Sequence, residues 1–169
     1  MADHPLERYR AKDRILARSL LDRLLDDAPD QAQDQPLTIP QQVREMREAL
    51  RRDLEALLNT RRNPVGAPTE LTELRDALVN YGVDGLVSVN LATDQAKLQL
   101  AHAIERRIAL FEPRLQDVSV TILKRNAHER ALRMRIEGTF RLWDDMPPIS
   151  FESTIDPSNQ RISVEAQNG

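Results

Sequence analysis

The chain has 169 residues, of which 40% are hydrophobic and 30% are charged, with 24 Lys and Arg against 27 Asp and Glu. This balance is typical of one water-soluble globular domain, with room for a small appendage. No apolar run approaches the ~18 residues that a membrane-spanning helix needs, and the first residues lead into a charged segment rather than a signal peptide. The sequence contains no cysteine, which excludes disulfides and thiolate chemistry, and its three histidines are dispersed. We therefore expect a cytoplasmic protein with no cofactor and no metal site.

The N-terminal segment has the spacing of an amphipathic helix. Its apolar residues recur at three- and four-residue steps, and they include Leu16, Leu20 and Leu24. The segment that follows is polar, contains proline and lacks periodicity, which is typical of a linker. We predict an amphipathic helix in residues 1–28, a polar linker in residues 29–40 and a folded domain in residues 41–169. The sequence leaves open whether the first helix packs on its own domain or on a partner.

A second helix is predicted to begin near Pro40, because proline suits the first turn of a helix. One side of it is apolar and carries Val43, Met46, Leu50, Leu54, Leu57 and Leu58. The rest of its surface carries Arg44, Arg47, Arg51 and Arg52. We interpret these arginines as a solvated face that pairs weakly with Glu48 and Glu55 at helical spacing. A basic docking surface is the alternative.

Two further helices are predicted before Pro113. The first should begin with Thr69 as its cap and end at Tyr81-Gly82, because glycine suits the left-handed position after a helix. The second should begin at Thr93-Asp94. The side chains that it directs toward the core are Ala96, Leu98, Leu100, Ala101, Ile104, Ile108 and Phe111.

The sequence after Arg114 alternates between apolar and polar residues. The apolar positions are Val118, Val120 and Ile122, then the even positions from Leu132 to Leu142, then Ile149, Phe151 and Ile155, and finally Ile162 and Val164. Short connections between four strands predict an antiparallel meander. Helices that precede strands indicate an α+β fold: N-terminal amphipathic helices followed by a small antiparallel four-stranded sheet packed against a helix.

The tripeptide Glu112-Pro113-Arg114 stands where the helical spacing gives way to alternation. Proline disfavours the helical conformation in the residue before it, so Glu112 is expected to be extended and its side chain should lie on the same side as that of Arg114. The two could form one polar clamp. They could equally be solvated neighbours that contribute at most ~1 kcal/mol.

Three ordered motifs carry a resemblance to a known family. They are Arg52-Asp53-Leu54-Glu55-Ala56-Leu57-Leu58-Asn59-Thr60-Arg61-Arg62, Asn80-Tyr81-Gly82-Val83-Asp84-Gly85-Leu86 and Phe111-Glu112-Pro113-Arg114-Leu115. The chain resembles the TssE family of type VI secretion baseplate subunits, within the wider family of contractile-phage baseplate wedge proteins often labelled "lysozyme-like". The resemblance runs from about Ser19 to the last strand. One departure is Asn63, where family members usually have a glycine.

The resemblance implies a structural adaptor rather than an enzyme. Such a subunit links the wedge core of TssF and TssG to the first ring of the contractile sheath, whose subunits are TssB and TssC, and TssK is a further candidate partner. Its location would be the cytoplasm, at a baseplate docked on the inner-membrane complex, without insertion into the membrane. The residues that the resemblance assigns to partner binding are Glu112, Pro113, Arg114, Asn59, Thr60, Arg61, Arg62, Tyr81 and Gly82. An edge of the sheet would seed the sheath.

Two other functions are alternatives to this one. A peptidoglycan-cleaving hydrolase needs two carboxyl groups across a cleft, and Glu112 is the best candidate for its general acid, but Arg114 would oppose that role. Nucleic-acid binding would use the basic residues Lys124, Arg125, Arg130, Arg133, Arg135 and Arg141. These have no aromatic residues interleaved for base stacking, and the net charge is -3. We therefore expect neither catalysis nor nucleic-acid binding.

Overall fold

The computed structural model describes residues 22, 24, 29–30, 38–66, 68, 70–84, 93–123, 131–140, 148–155 and 161–166. The chain divides into two compact units, residues 1–50 and residues 51–169. The predicted N-terminal helix lies almost wholly outside the described residues, so it stays a prediction. Over the part of the chain that is described, no helix is long and apolar enough to cross a membrane.

Helix α1 spans Ile39–Asn59, close to the predicted second helix. The predicted apolar stripe is confirmed at its C-terminal half, where Leu50, Leu54, Leu57 and Leu58 are at most 2% exposed. The predicted pairing of Arg51 with Glu55 is present, but the Arg51 side chain is not simply solvated. Its guanidinium is half-buried, binds Glu55 at 2.6 Å and donates a hydrogen bond to the backbone carbonyl of Val164 at 3.1 Å.

The helix predicted from Thr69 to Tyr81 is broken into two short pieces. Helix α2 spans Thr72–Arg75, and a single 3-10 turn spans Leu78–Asn80. The side-chain amide of Asn80 donates a hydrogen bond to the carbonyl oxygen of Leu74 at 2.6 Å. In a continuous α-helix that carbonyl would accept from the N–H of Leu78, so the amide competes with the helix for its own acceptor.

Helix α3 spans Asp94–Phe111, as predicted. Thr93 caps it by accepting a hydrogen bond from the N–H of Ala96 at 3.2 Å. The buried side chains of α3 are Leu100, Ala101, Ile104 and Ile108. Leu98 is 60% exposed, so its prediction as a core residue is wrong. The helix ends at Phe111, and its C-cap residue, Glu112, directly precedes Pro113.

Four strands follow and form one antiparallel sheet in the order β1-β2-β3-β4. Their bounds are Leu115–Ile122 (β1), Leu132–Phe140 (β2), Ile149–Ile155 (β3) and Ile162–Ala166 (β4). The even positions of β2 and β4 and the odd positions of β3 are the buried ones. Helix α3 packs against β1. The predicted α+β meander is confirmed.

Strand β1 contains an irregularity that the alternation did not indicate. Its pairing with β2 shifts between Gln116 and Ser119, and Asp117 has a φ of 50°. Aspartate tolerates this left-handed conformation better than most residues. Gly138 lies opposite, and a Cβ there would be 2.8 Å from Leu115 Cγ. The bulge lets both Leu115 and Val120 be buried although they are five positions apart, an odd number that would place them on opposite faces of a regular strand.

Candidate protein-docking site

The Glu112-Pro113-Arg114 motif forms a charged turn between α3 and β1. Arg114 Nε donates to Glu112 Oε1 at 2.6 Å, and Arg114 Nη2 contacts Glu112 Oε2 at 2.5 Å. Glu112 is only 5% exposed, whereas Pro113 is exposed. The two charges therefore lie on the same side of the chain as predicted, but they form a largely buried two-point ion pair rather than a solvated one.

Helix α1 contributes a second carboxylate to this ion pair. Arg114 Nη2 contacts Asp53 Oδ2 at 2.5 Å, across 61 positions of sequence. The hydrogen bond to Glu112, the nearby charges of Glu112 and Asp53 and the bond to Asp53 together raise the pKa of Arg114 above its ordinary value, against the effect of burial. We call Asp53, Glu112 and Arg114 the elbow cluster. It ties α1 to the α3–β1 junction.

Tyr81 lies beside the elbow cluster. Its ring packs edge-on against Phe111, with ring centroids 5.2 Å apart and planes at 71°. Burial raises the pKa of the Tyr81 phenol, and the negative charges of Asp53 and Glu112 raise it further. Tyr81, from the second of the three motifs, thus lies close in space to the Glu112-Pro113-Arg114 motif.

The segment with Arg61 and Arg62 joins the segment from Asn80 to Asp84 through backbone hydrogen bonds. Arg61 and Val83 form an isolated parallel bridge, in which Val83 N–H donates to Thr60 O at 2.9 Å and Arg62 N–H donates to Val83 O at 3.0 Å. Arg62 Nε also binds Asp84 Oδ1 at 2.7 Å. Gly82 makes this approach feasible, since its φ is 101° and a Cβ there would be 2.3 Å from Thr60 O.

Helix α3 also contacts the segment that carries Tyr81. Arg107 Nη1 donates to the backbone carbonyl of Asn80 at 3.3 Å, and Asn80 is 3% exposed. Burial lowers the pKa of Arg107, and the positive charge of Arg62 lowers it further. The three motifs therefore lie close together within the residue 51–169 unit.

The structure sorts the predicted partner-binding residues into two groups. Arg61 and Pro113 are exposed, whereas Glu112 and Gly82 are buried. Asn59 points away from the cluster and binds the backbone of Ile162. Sequence reasoning missed Asp53 and Arg107. A signal for Asp53 was present, because it occurs three residues after Leu50 and four before Leu57, on the apolar stripe of α1.

The geometry bears on the alternatives. Both carboxylate oxygens of Glu112 accept hydrogen bonds from Arg114, so neither is placed to donate a proton to a substrate. Trp143, Asp144 and Asp145 lie outside the described residues. Arg135, from the proposed basic cluster, binds Glu152 at 3.0 Å. Among the described residues no group of His, Asp and Glu could hold a metal ion.

The fold and this cluster define a class: a small α+β subunit whose charged motifs bind one another and hold the turn at which Pro113 is exposed. The sequence profile of the baseplate wedge protein gp25 matches residues 44–144. The chain belongs to that baseplate wedge family, and the resemblance seen in the motifs is confirmed. The family is a structural component of baseplates.

A chain of a solved structure, "The baseplate complex from the type VI secretion system", is also similar. Its TM-score is 0.46 and its identity 13%, over 78% of this chain and 100% of that chain. Both values are low, so the family assignment rests on the profile. No curated relative matches the chain.

We expect the buried ion pair to stabilise the fold more than an exposed one does. Glu112→Gln should lower the free energy of unfolding by about 2 kcal/mol or more, because Arg114 keeps its charge but loses its buried partner. Asp84→Asn is the matched control. It changes an ion pair whose carboxylate is 73% exposed, and it should cost less than about 1 kcal/mol. Equal losses of unfolding free energy in the two variants, measured by urea unfolding, would contradict the expected difference between the buried and the exposed ion pair.

The backbone bridge should depend on Gly82. We expect Gly82→Ala to destabilise the fold by about 2 kcal/mol or more, because the new methyl group meets a backbone carbonyl at a positive φ. Gly66→Ala is the control, since a Cβ at that position has nothing within 4 Å. Thermal unfolding followed by circular dichroism compares the two. A Gly82→Ala protein as stable as the Gly66→Ala protein would show that the bridge is wrong.

The pKa of the Tyr81 phenol should lie above its ordinary value. The folded pKa is raised, so the neutral phenol contributes stability that is complete below the unfolded pKa and lost as the pH rises through the folded pKa. Only Tyr9 and Tyr81 contribute phenolate absorbance, so Tyr9→Phe isolates the signal. Asp53→Asn in that background should lower the pKa of Tyr81. A midpoint of phenolate formation below pH 10.0 for Tyr81 would contradict the assigned environment.

Proposed function

We propose that this protein is a structural, non-enzymatic subunit of a type VI secretion baseplate that links the wedge core to the first ring of the contractile sheath. The observation that carries the proposal is the family match over residues 44–144, which contains all three motifs. In this proposal the protein works in the cytoplasm, at a baseplate docked on the inner-membrane complex. It needs no cofactor and binds no nucleic acid.

The proposed wedge-core partners are TssF and TssG, and the elbow cluster supplies the docking surface. Glu112, which is buried, and Arg114, which is partly buried, fix the turn, and Pro113 is its exposed point. Arg61 and Tyr81 lie on two segments that the Arg61–Val83 bridge joins. This arrangement supports a role in which the ion pair shapes the surface and the exposed residues contact the partner.

The proposed sheath partners are TssB and TssC, and TssK is a further candidate on the baseplate side. A four-stranded open sheet supports the sheath connection, because an edge strand can pair through its backbone with a strand of another chain.

A capture experiment tests the wedge-core contact. Purified TssF–TssG complex from the same bacterium is immobilised, and binding of the full chain is measured for the wild type, Glu112→Ala and Arg114→Ala. We expect each variant to bind at least ~10-fold more weakly, because loss of either charge releases the turn that carries Pro113. Circular dichroism and urea unfolding establish that each variant is folded under the assay conditions.

Two controls sharpen this test. Arg106→Ala removes an exposed arginine of α3 and should leave capture unchanged. Pro113→Ala removes the exposed side chain but keeps both charges, and it should weaken capture. Folded Glu112→Ala and Arg114→Ala proteins that bind like the wild type would confine the elbow cluster to a role within the fold. A wild-type chain that does not bind the TssF–TssG complex would contradict the proposed function.

A further inference from the structure

One short segment before the Tyr81-Gly82 motif carries a concentration of exposed apolar side chains. Eight large hydrophobic residues are exposed in the described part of the chain, and four of them lie within nine positions: Leu71, Leu74, Leu78 and Val79. Single apolar residues are normal on a protein surface, whereas a group of them marks contact with another molecule. We call these four residues the apolar bend.

The backbone of the apolar bend is fixed by Asn80 and by helix α3. The side-chain amide of Asn80 donates to Leu74 O at 2.6 Å, and Asn80 itself is buried. From α3, Arg107 Nη1 donates to Asn80 O at 3.3 Å, and the ring of Phe111 packs against that of Tyr81. The exposed side chains are therefore presented by a segment that is already ordered, which reduces the entropy that a partner loses on binding.

The hydrogen bonds of this segment favour a helical partner over an extended one. Leu71 N–H donates to Pro68 O at 3.0 Å, and Leu74 N–H donates to Leu71 O at 3.1 Å. Tyr81 N–H donates to Leu78 O at 3.0 Å. Successive turns of this kind do not present the regular row of backbone groups that an added strand needs. An α-helix satisfies its own backbone and binds an apolar surface through side chains alone.

The ionisable residues within this segment are mainly acidic. Residues 70–79 contain one basic residue, Arg75, against three acidic ones, Glu70, Glu73 and Asp76. All three acidic residues are exposed. Arg107 of α3 is nearby but half-buried. A partner therefore meets leucine and valine side chains with carboxylates beside them.

The sign of these charges distinguishes between possible occupants. Anionic lipid and nucleic acid are both negatively charged, so carboxylates disfavour them. A second copy of this chain, bound through a two-fold axis, would place the acidic segment against itself, and like charges across an interface cost free energy. A helix with lysine and arginine beside an apolar stripe complements both the apolar and the acidic side chains.

We propose that the apolar bend binds an amphipathic α-helix of a partner protein, whose apolar stripe packs on the bend and whose flanking lysines and arginines face Glu73 and Asp76. Tyr81 follows Val79 by two positions and lies beside the elbow cluster, so the bend extends the docking surface beyond the Glu-Pro-Arg turn. That the wedge core supplies this helix rests on the proposed function.

A model peptide tests the chemistry of this surface without any baseplate subunit. The probe is a fluorescent peptide of leucine and lysine, about five helical turns long, with its leucines at helical spacing. It is titrated with the full chain, and its fluorescence anisotropy is measured. We expect Leu78→Ser to weaken binding at least ~10-fold, because the substitution removes apolar area from the contact. The matching peptide of leucine and glutamate should bind the wild type at least ~10-fold more weakly than the lysine peptide.

Leu98→Ser is the matched control for the loss of an exposed leucine. Leu78 is 80% exposed and Leu98 is 60% exposed, so neither substitution removes much packing from the fold. Leu98 lies on α3, outside the apolar bend, and Leu98→Ser should change the affinity for the lysine peptide by less than ~2-fold. Circular dichroism establishes that both variants are folded.

Charge reversal tests the acidic residues separately from the apolar ones. Glu73→Lys should weaken binding of the lysine peptide at least ~5-fold at low salt, and added salt should reduce this effect because exposed charges are screened. Glu137→Lys is the control, since it reverses an exposed carboxylate on β2. Equal effects of the two reversals would show that the peptide responds to the net charge of the chain, which would overturn the proposed contact.

Capture by immobilised TssF–TssG complex tests the source of the helix. We expect Leu78→Ser to be captured at least ~10-fold more weakly than Leu98→Ser. Equal capture of the two variants would overturn the assignment of the helix to the wedge core. A wild-type chain that binds the lysine peptide but not the complex would contradict the proposed function while supporting the surface. A wild-type chain that binds neither peptide, or both equally, would overturn the inference itself.

Discussion

The guanidinium of Arg114 is the interaction on which the arrangement of the residue 51–169 unit depends. A carboxylate as buried as Glu112 is costly unless it is paired, and Arg114 pairs it at two points while also reaching Asp53. One side chain thereby fixes the end of α3, the start of β1 and the C-terminal half of α1. Leu115 follows at once and is 3% exposed, so the turn also determines where the sheet enters the core.

The sheet shows a second use of polar side chains, in which they replace a missing strand. An open sheet leaves backbone donors and acceptors at both edges, which invites pairing with other chains. Here Arg51, Glu55 and Asn59 satisfy those groups on β4. On β1, within the part of the chain that the structure describes, the carboxylate of Glu105 accepts from the outward N–H of Val120.

Periodicity alone was sufficient for the elements that bury one continuous face. The stripe of α1 from Leu50 to Leu58 and the alternation of β2 from Met134 to Phe140 both correspond to buried rows. It failed where a polar side chain competes with the backbone, as Asn80 does for the carbonyl of Leu74. It also could not show the bonds of Arg114 to Asp53 or of Asn59 to Ile162, which join residues 61 and 103 positions apart. Such pairs depend on the packed fold, whereas the local pattern carries information over only a few turns.

The elbow cluster and the closed edge of β4 are parts of one packed unit because they share a helix. Asp53 lies two residues after Arg51 and two before Glu55, so opposite sides of the same turns of α1 bind Arg114 and the backbone of Val164. Tightly packed interiors do not deform continuously, so a shift of α1 large enough to open β4 would also strain the contact with Arg114. The helix that holds Arg114 through Asp53 therefore also holds the outward backbone groups of Ile162 and Val164 on β4.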